Sequence, residues 1–362
     1  MIAMRIPTEP IGSIPRPLEL IEGMTAHAAG TITDKELNHL FEAALVDTIH
    51  RFELTGSPVI TDGEQTKPSF ATYPIAGYPK LDPNGVVIPF ADGHTRQLPK
   101  LTGGPFHYQT FASSYLQKAK TLTALPVKQA VIAVSALSLL YPAEGIQDYS
   151  RDQFIADLLT DAEADIRKCL EAGAYNVQID FTEARLALKL DPSGGLLQAF
   201  IDLNNQVLSR FSPTDRSKIG VHSCPGGDHD STHSADIPYA QLLPYLFQLK
   251  ATNFYLEYAG EGQKLAVLDA IKSNLKPYQV VFIGVTDVLN PKVESPQDIR
   301  ETIMEAASVI PQDQLGTTDD CGFSPFADDV STARDVAFEK IRSRVEGTRL
   351  AELALNRTSV AL

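Results

Sequence analysis

The sequence predicts an α/β protein, a closed (β/α)8 TIM barrel. Three observations carry that expectation. Eight short apolar runs alternate with longer segments of helical period, as βα units do. The chain has 362 residues, enough for such a barrel with insertions. Most of the runs end in acidic residues, His or Cys, where a barrel carries its chemistry. An open doubly wound sheet is the alternative, but no Gly-x-Gly-x-x-Gly or phosphate-binding loop supports it.

In order, the first run is IPTEPIGS (6–13), a weak strand broken by proline. DKELNHLFEAALVDTIHRFELTG follows with apolar residues at helical spacing and a stop at Gly56. SPVITDGE (57–64) is the second strand. Residues of about 65–110 are rich in Pro, Gly and aromatics and read as a long excursion before the next helix. KQAVIAVSA (128–136) and YNVQIDF (175–181) are buried strands, separated by a helix from Phe154 to Ala172 that stops at Gly173. After a helix at about 195–211 comes KIGVHSC (218–224), followed by a polar loop at 225–238. NFYLEY (253–258), QVVFIGVTD (279–287) and the weaker QLGTTDDC (314–321) complete the set, with helices at about 239–250, 263–275, 295–308 and 331–355. Residues 1–362 are read as one catalytic barrel domain.

Composition narrows the function. Hydrophobic residues make up 43% of the chain, enough for a sizeable core. Net charge is −14, from 31 basic and 45 acidic residues, which disfavours nucleic acid or an anionic membrane as partner. The three cysteines, Cys169, Cys224 and Cys321, do not form a disulfide framework and point to a reducing compartment such as the cytoplasm. The N-terminus lacks the apolar stretch of a signal peptide. Self-association is compatible with the sequence.

The strand ends read DGE, QID, HSC, LEY, VTD and DDC. Ionisable groups crowded into one barrel mouth need a cation or a charged ligand to offset their burial. Side chains alternate along a strand, so His222 and Cys224 face the same side. With Glu257 and Cys321 from two other strand ends they make a His, Cys, Cys, Glu donor set suited to zinc. Cys169 has the apolar spacing of a helix core. His229 and His233, in the polar loop, are weaker rivals as ligands. Two thiolates and a carboxylate would make the zinc a poor generator of hydroxide, but suited to holding an incoming thiol as nucleophilic thiolate. The alternatives are a structural zinc and a non-catalytic, zinc-stabilised ligand-binding barrel.

Ile11-Gly12-Ser13, Asp62-Gly63-Glu64, Gln178-Ile179-Asp180, His222-Ser223-Cys224, Glu257 and Asp320-Cys321-Gly322 together resemble the catalytic C-terminal barrel of the cobalamin-independent methionine synthase superfamily. That fold is shared with uroporphyrinogen decarboxylase. The resemblance implies transfer of a methyl group from 5-methyltetrahydropteroyltriglutamate to homocysteine in methionine biosynthesis. It also implies zinc on His222, Cys224, Glu257 and Cys321, and homocysteine bound by Ile11, Gly12, Ser13, Glu64 and Asp180. GTTDDCGFSPF and IPTEPIGSIPRP are similar to the single-barrel branch that includes epoxyalkane:coenzyme M transferases, where a zinc-held thiolate opens an epoxide. The partners expected are thus a small thiol and a methyl or alkyl donor. Where the family carries a catalytic His in Asp-Ile-His-Ser-Pro, this chain has Asp287-Val288-Leu289-Asn290-Pro291. Leu289 cannot donate a proton, so Tyr258, Asp287 or a water is left as general acid. Arg5, Arg16, Lys67 and Arg185 are candidates to meet an anionic substrate tail.

Overall fold

The structure is a computed structural model that describes residues 5–360, with side chains described through 356. Six strands form one parallel sheet in the order Leu315–Thr318, Val280–Gly284, Asn253–Leu256, Ile219–Ser223, Val177–Asp180 and Gln129–Ile132. Two further staves close it into a barrel, each reduced to a single bridge. Thr8 pairs with Thr317 and Ile60 with Val127, both in parallel. Ile14 N–H donates to Gly63 O at 3.0 Å, and Thr61 Oγ1 donates to Gly12 O at 2.8 Å, joining these two staves to each other. The (β/α)8 expectation therefore holds, with the first two strands frayed. Pro7, Pro10 and Pro58 have no N–H to give a ladder, which limits both segments.

The helices follow the expected order. Asp34–Leu54 opens with a capping box between Thr33 and Glu36, and Arg151–Glu171 opens with one between Ser150 and Gln153. Other segments differ from expectation. The strand expected at 128–136 stops at Ile132 and gives way to a helix at Val134–Ser138. The helix expected at 239–250 is a turn at Tyr239–Gln241 and one short helix, Leu243–Leu246, divided where Pro244 lacks an N–H. Helices Leu18–Ala28 and Glu183–Leu190 went unread in the sequence.

Residues 65–110 form the expected excursion. Within it Val87–Pro89 pairs with Thr95–Gln97, and Leu81–Asp82 with Lys100–Leu101. The first hairpin is pinned over the barrel mouth by Arg96, whose guanidinium donates to the carboxylates of Asp228 and Asp328. Inside the barrel, Glu9 accepts from Tyr255 Oη at 2.7 Å and Asn176 Nδ2 at 2.8 Å. Lys128 Nζ donates to Gln178 Oε1 at 2.8 Å, and Gln178 Nε2 passes a hydrogen bond of 2.7 Å to Asp180 Oδ1. The polar plug so positions a carboxylate at the mouth. No helix among the described residues is long and apolar enough to cross a membrane.

Candidate functional site

His222 ends the Ile219–Ser223 strand, with Cys224 just beyond it. His222 Nδ1 lies 3.2 Å from Tyr255 O, so that nitrogen carries the proton and donates to the carbonyl. The other nitrogen, Nε2, is buried without a hydrogen-bond partner and presents a bare lone pair. Cys224 Sγ is 2.8 Å from Cys321 Sγ, although both cysteines are free. A disulfide would need about 2.05 Å. The hydrogen bond from Cys224 holds the Cys321 thiol well below the ordinary range, aided by His222. The same contact, with burial, pushes Cys224 up. Two sulfurs thus lie side by side next to an imidazole nitrogen that has no hydrogen-bond partner. The His222, Cys224 and Cys321 ligand atoms all lie within 4.8 Å of one another. Soft donors with an orphaned lone pair fit a zinc ion.

Glu257 falls outside that triangle. Its Oε2 accepts from Arg185 Nη1 at 2.8 Å, while the same nitrogen reaches Glu261 at 2.7 Å. Burial and then Asp320 push the Glu257 carboxyl well up, and Arg185 opposes them. Asp320, next to Cys321, accepts the backbone N–H groups of Tyr258, Ala259 and Gly260 at 2.6–2.9 Å. This carboxylate locks the turn after Glu257 to the segment that carries Cys321. A Cβ at Gly284 would lie 1.9 Å from Asp320 Oδ1, so only glycine admits the contact.

Ile11, Gly12, Ser13, Glu64 and Asp180 line one cavity of about 70 Å³ together with His222, Cys224 and Cys321. Gly63 and Glu64 both have left-handed backbones, with φ of 64° and 55°, turning the chain sharply at the end of its stave. Glu64 is a strained non-glycine residue at a site, as functional positions often are. Lys67 Nζ holds its Oε1 at 2.8 Å. Burial pushes Asp180 up to about 7, against His222, which lowers it. The cavity therefore has carboxylates on one wall and sulfur and imidazole on another.

The residues read as general acids lie elsewhere. Neither Tyr258 nor Asp287 lines this cavity. Burial, and after it the nearby Glu305, pushes the Tyr258 phenol up. Asp287 Oδ1 accepts the N–H of Leu289 at 3.0 Å and caps its own turn. The proposed tail-binding cations are also committed. Arg16 donates to the carbonyls of Glu64 and Lys67, Lys67 is paired with Glu64, and Arg185 with Glu257 and Glu261. Arg5 is exposed and does not line this cavity.

Sequence reasoning missed Phe70, Phe90, Thr182 and Phe326, which also line the cavity. The sequence offers His233 only as a rival ligand. It is buried in the cavity wall, outside the ligand triangle, and burial holds it down at about 4. A Cβ at Gly226 would come within 1.8 Å of its ring, which explains the glycine. Glu183, behind Thr182, accepts from Ser135 Oγ and is otherwise unpartnered at Oε2. Burial raises its pKa from 4.5 to about 8. The folded state therefore holds this proton more tightly than the unfolded chain, and stability should fall as pH rises from about 4.5 to about 8. Glu183→Gln removes that slope. Its stability relative to the parent should improve across this window by on the order of a few kcal/mol, read from urea midpoints at several pH values.

A family model described as cobalamin-independent synthase, catalytic domain, matches residues 6–334. The methionine synthase of Sulfurisphaera tokodaii is 23% identical over 354 residues, covering 95% of this chain and 92% of the relative. That of Saccharolobus solfataricus is 22% identical, covering 97% and 96%. Among solved structures, a B12-independent methionine synthase from Shewanella sp. W3-18-1 in complex with selenomethionine superimposes with a TM-score of 0.75 at 18% identity, covering 99% of this chain and 100% of that one. A putative vitamin-B12-independent methionine synthase from Listeria monocytogenes gives 0.70 at 20% identity, covering 96% and 98%. At these identities the structural likeness speaks for the barrel fold. The family match spans most of the chain, strand ends included, and on that ground the chain belongs to the cobalamin-independent synthase catalytic-domain family.

Proposed function

We propose that this protein is a zinc-dependent methyltransferase that alkylates the sulfur of a small amino thiol of the homocysteine type. One observation carries the reading: a single cavity is lined both by the sulfur and imidazole cluster and by Glu64 and Asp180. An amino thiol matches that polarity, with its ammonium at the carboxylates and its sulfur at the cluster. His222, Cys224 and Cys321 would hold the metal, with Glu257 as a fourth, exchangeable ligand. When bound there, zinc keeps a thiol substrate as its thiolate at neutral pH.

The protein's own residues do the rest. Glu64 and Asp180 anchor and orient the substrate amine. Lys67 and Gln178 hold these two carboxylates in place. Ser13 is set by the Ser324 N–H, which donates to its Oγ at 3.2 Å, beside Ile11 and Gly12. Arg185 offers Glu257 an alternative partner when the thiol enters. Epoxide opening is less favoured, because it calls for an acid at the nascent alkoxide and neither Tyr258 nor Asp287 lines the cavity. Free thiols in close contact suit a reducing compartment, and we place the enzyme in the cytoplasm.

The protein is expected to purify with about one zinc per chain. X-ray absorption should then show homocysteine adding one sulfur to the zinc shell while an oxygen ligand is lost. A spectrum unmoved by saturating homocysteine would make the zinc structural. Methyl transfer from methylfolate and from methylcobalamin, assayed in parallel, identifies the donor.

A further inference from the structure

A second, much larger cavity of about 730 Å³ abuts the first. The two share the side chains of Phe70, Ile88, Arg96, Thr182, His233 and Phe326. It lies between the Leu18–Ala28 helix, the hairpin at 86–98 and the Glu183–Leu190 helix. Its volume falls within the range of small-molecule sites, roughly 300–1,000 Å³.

The chemistry of its walls restricts the occupant. They are mostly aliphatic and aromatic. Five titratable groups line it, and each is neutral or already paired. Arg96 is shared between Asp228 and Asp328 and its guanidinium lies 4.3 Å from the Phe326 ring centroid. Asp328 is that same partner. Lys189 Nζ donates to Asp236 Oδ1 and His233 O, both at 2.9 Å. His233 is neutral at pH 7. Glu183 has one hydrogen bond, from a hydroxyl that in turn accepts from Asn204 Nδ2, and no cation beside it. An anionic ligand entering here would lose its hydration without gaining a free cation.

We infer that this cavity receives the alkyl donor, and that the portion of the donor seated there is uncharged and largely apolar. The role as donor site rests on the methyltransferase reading above; the ligand class rests on the walls alone. A pteridine carrying an anionic glutamyl tail would have to leave that tail outside.

The chain has no tryptophan, so Leu190→Trp gives a single reporter at the rim, where Leu190 is 69% exposed. Zinc-loaded Leu190→Trp protein is titrated with uncharged N-phenyl-1-naphthylamine and with 8-anilinonaphthalene-1-sulfonate, which adds one negative charge to the same skeleton. The uncharged probe should bind saturably and at least about tenfold more tightly than the sulfonate. Saturating homocysteine should change its affinity by less than about twofold, since donor and thiol occupy adjoining sites. In the same background Ala136→Phe and, on the exposed face of its helix, Ala28→Phe should each weaken the probe at least about tenfold by filling the cavity. Equal or tighter sulfonate binding, displacement by homocysteine, or indifference to both fillings would overturn the inference. So would a dimer in sedimentation that both fillings dissociate, because the cavity would then be a subunit interface. Probe binding that behaves as expected in a protein whose zinc ignores homocysteine would instead sink the methyltransferase reading and leave the ligand class standing.

Discussion

Cys321→Ser is expected to lose stoichiometric zinc and to lower methyl transfer by at least about a hundredfold. Removing even an outer partner of a zinc ligand costs some 10–100-fold, and this change removes a ligand itself. The sulfur lies in the group with His222 and Cys224, and the contact with Cys224 holds it near the thiolate state that zinc requires. Serine keeps the shape but has no accessible anion at neutral pH. The fold should survive, because serine nearly matches cysteine in shape and Asp320 still accepts its three backbone N–H groups. Cys169→Ala is the control. Cys169 is buried within the Arg151–Glu171 helix, away from the triangle, and its loss should leave zinc content unchanged. Zinc measured by elemental analysis decides the matter. A Cys321→Ser protein that retains a full equivalent of zinc and its activity would remove the sulfur cluster from the mechanism.

Much of this site was legible because strand periodicity is short and rigid. His222 and Cys224 sit two apart, and alternation alone places them on one side. The clustering of ionisable residues at strand ends was equally plain, since a barrel exposes its chemistry there. The same periodicity could have corrected one assignment. Tyr258 follows Glu257 by one residue, and alternation sends it to the other face, where it meets Glu305. What sequence could not supply are contacts between segments with no common period. Arg185 reaches Glu257 across 72 positions, and Arg96 reaches Asp228 across 132, from a hairpin with no local signal of where it folds. The Glu183–Leu190 helix was missed for a related reason. It has only two turns, too short a run for a periodic pattern to stand out between its neighbours. The strand 128–136 was overextended because its apolar run continues into a buried helix, which composition alone cannot separate from a strand.

Arg185→Met should destabilise the metal-free protein by about 3–5 kcal/mol, the usual cost of stranding a buried charge. Arg185 is 1% exposed, and all its hydrogen bonds are internal: two carboxylates, plus the carbonyls of Ile237 at 2.7 Å and Ala235 at 2.9 Å. Methionine fills comparable volume, so the loss reports charge and hydrogen bonding more than a cavity. The informative measurement is the same unfolding curve with zinc. A ligand that binds only the folded state stabilises it in proportion to its affinity. If Glu257 joins the metal, the variant's stranded carboxylate gains a cation on loading, and zinc should stabilise Arg185→Met more than the parent. In the parent, Glu257 must first give up Arg185. Adding Glu257→Gln to Arg185→Met should abolish that surplus, since an amide leaves no buried charge to relieve. Urea midpoints with chelator and with excess zinc, for parent, single and double variants, test each step. An identical zinc increment in parent and Arg185→Met would mean that Glu257 stays with Arg185 throughout and that the fourth position on the metal belongs to another group.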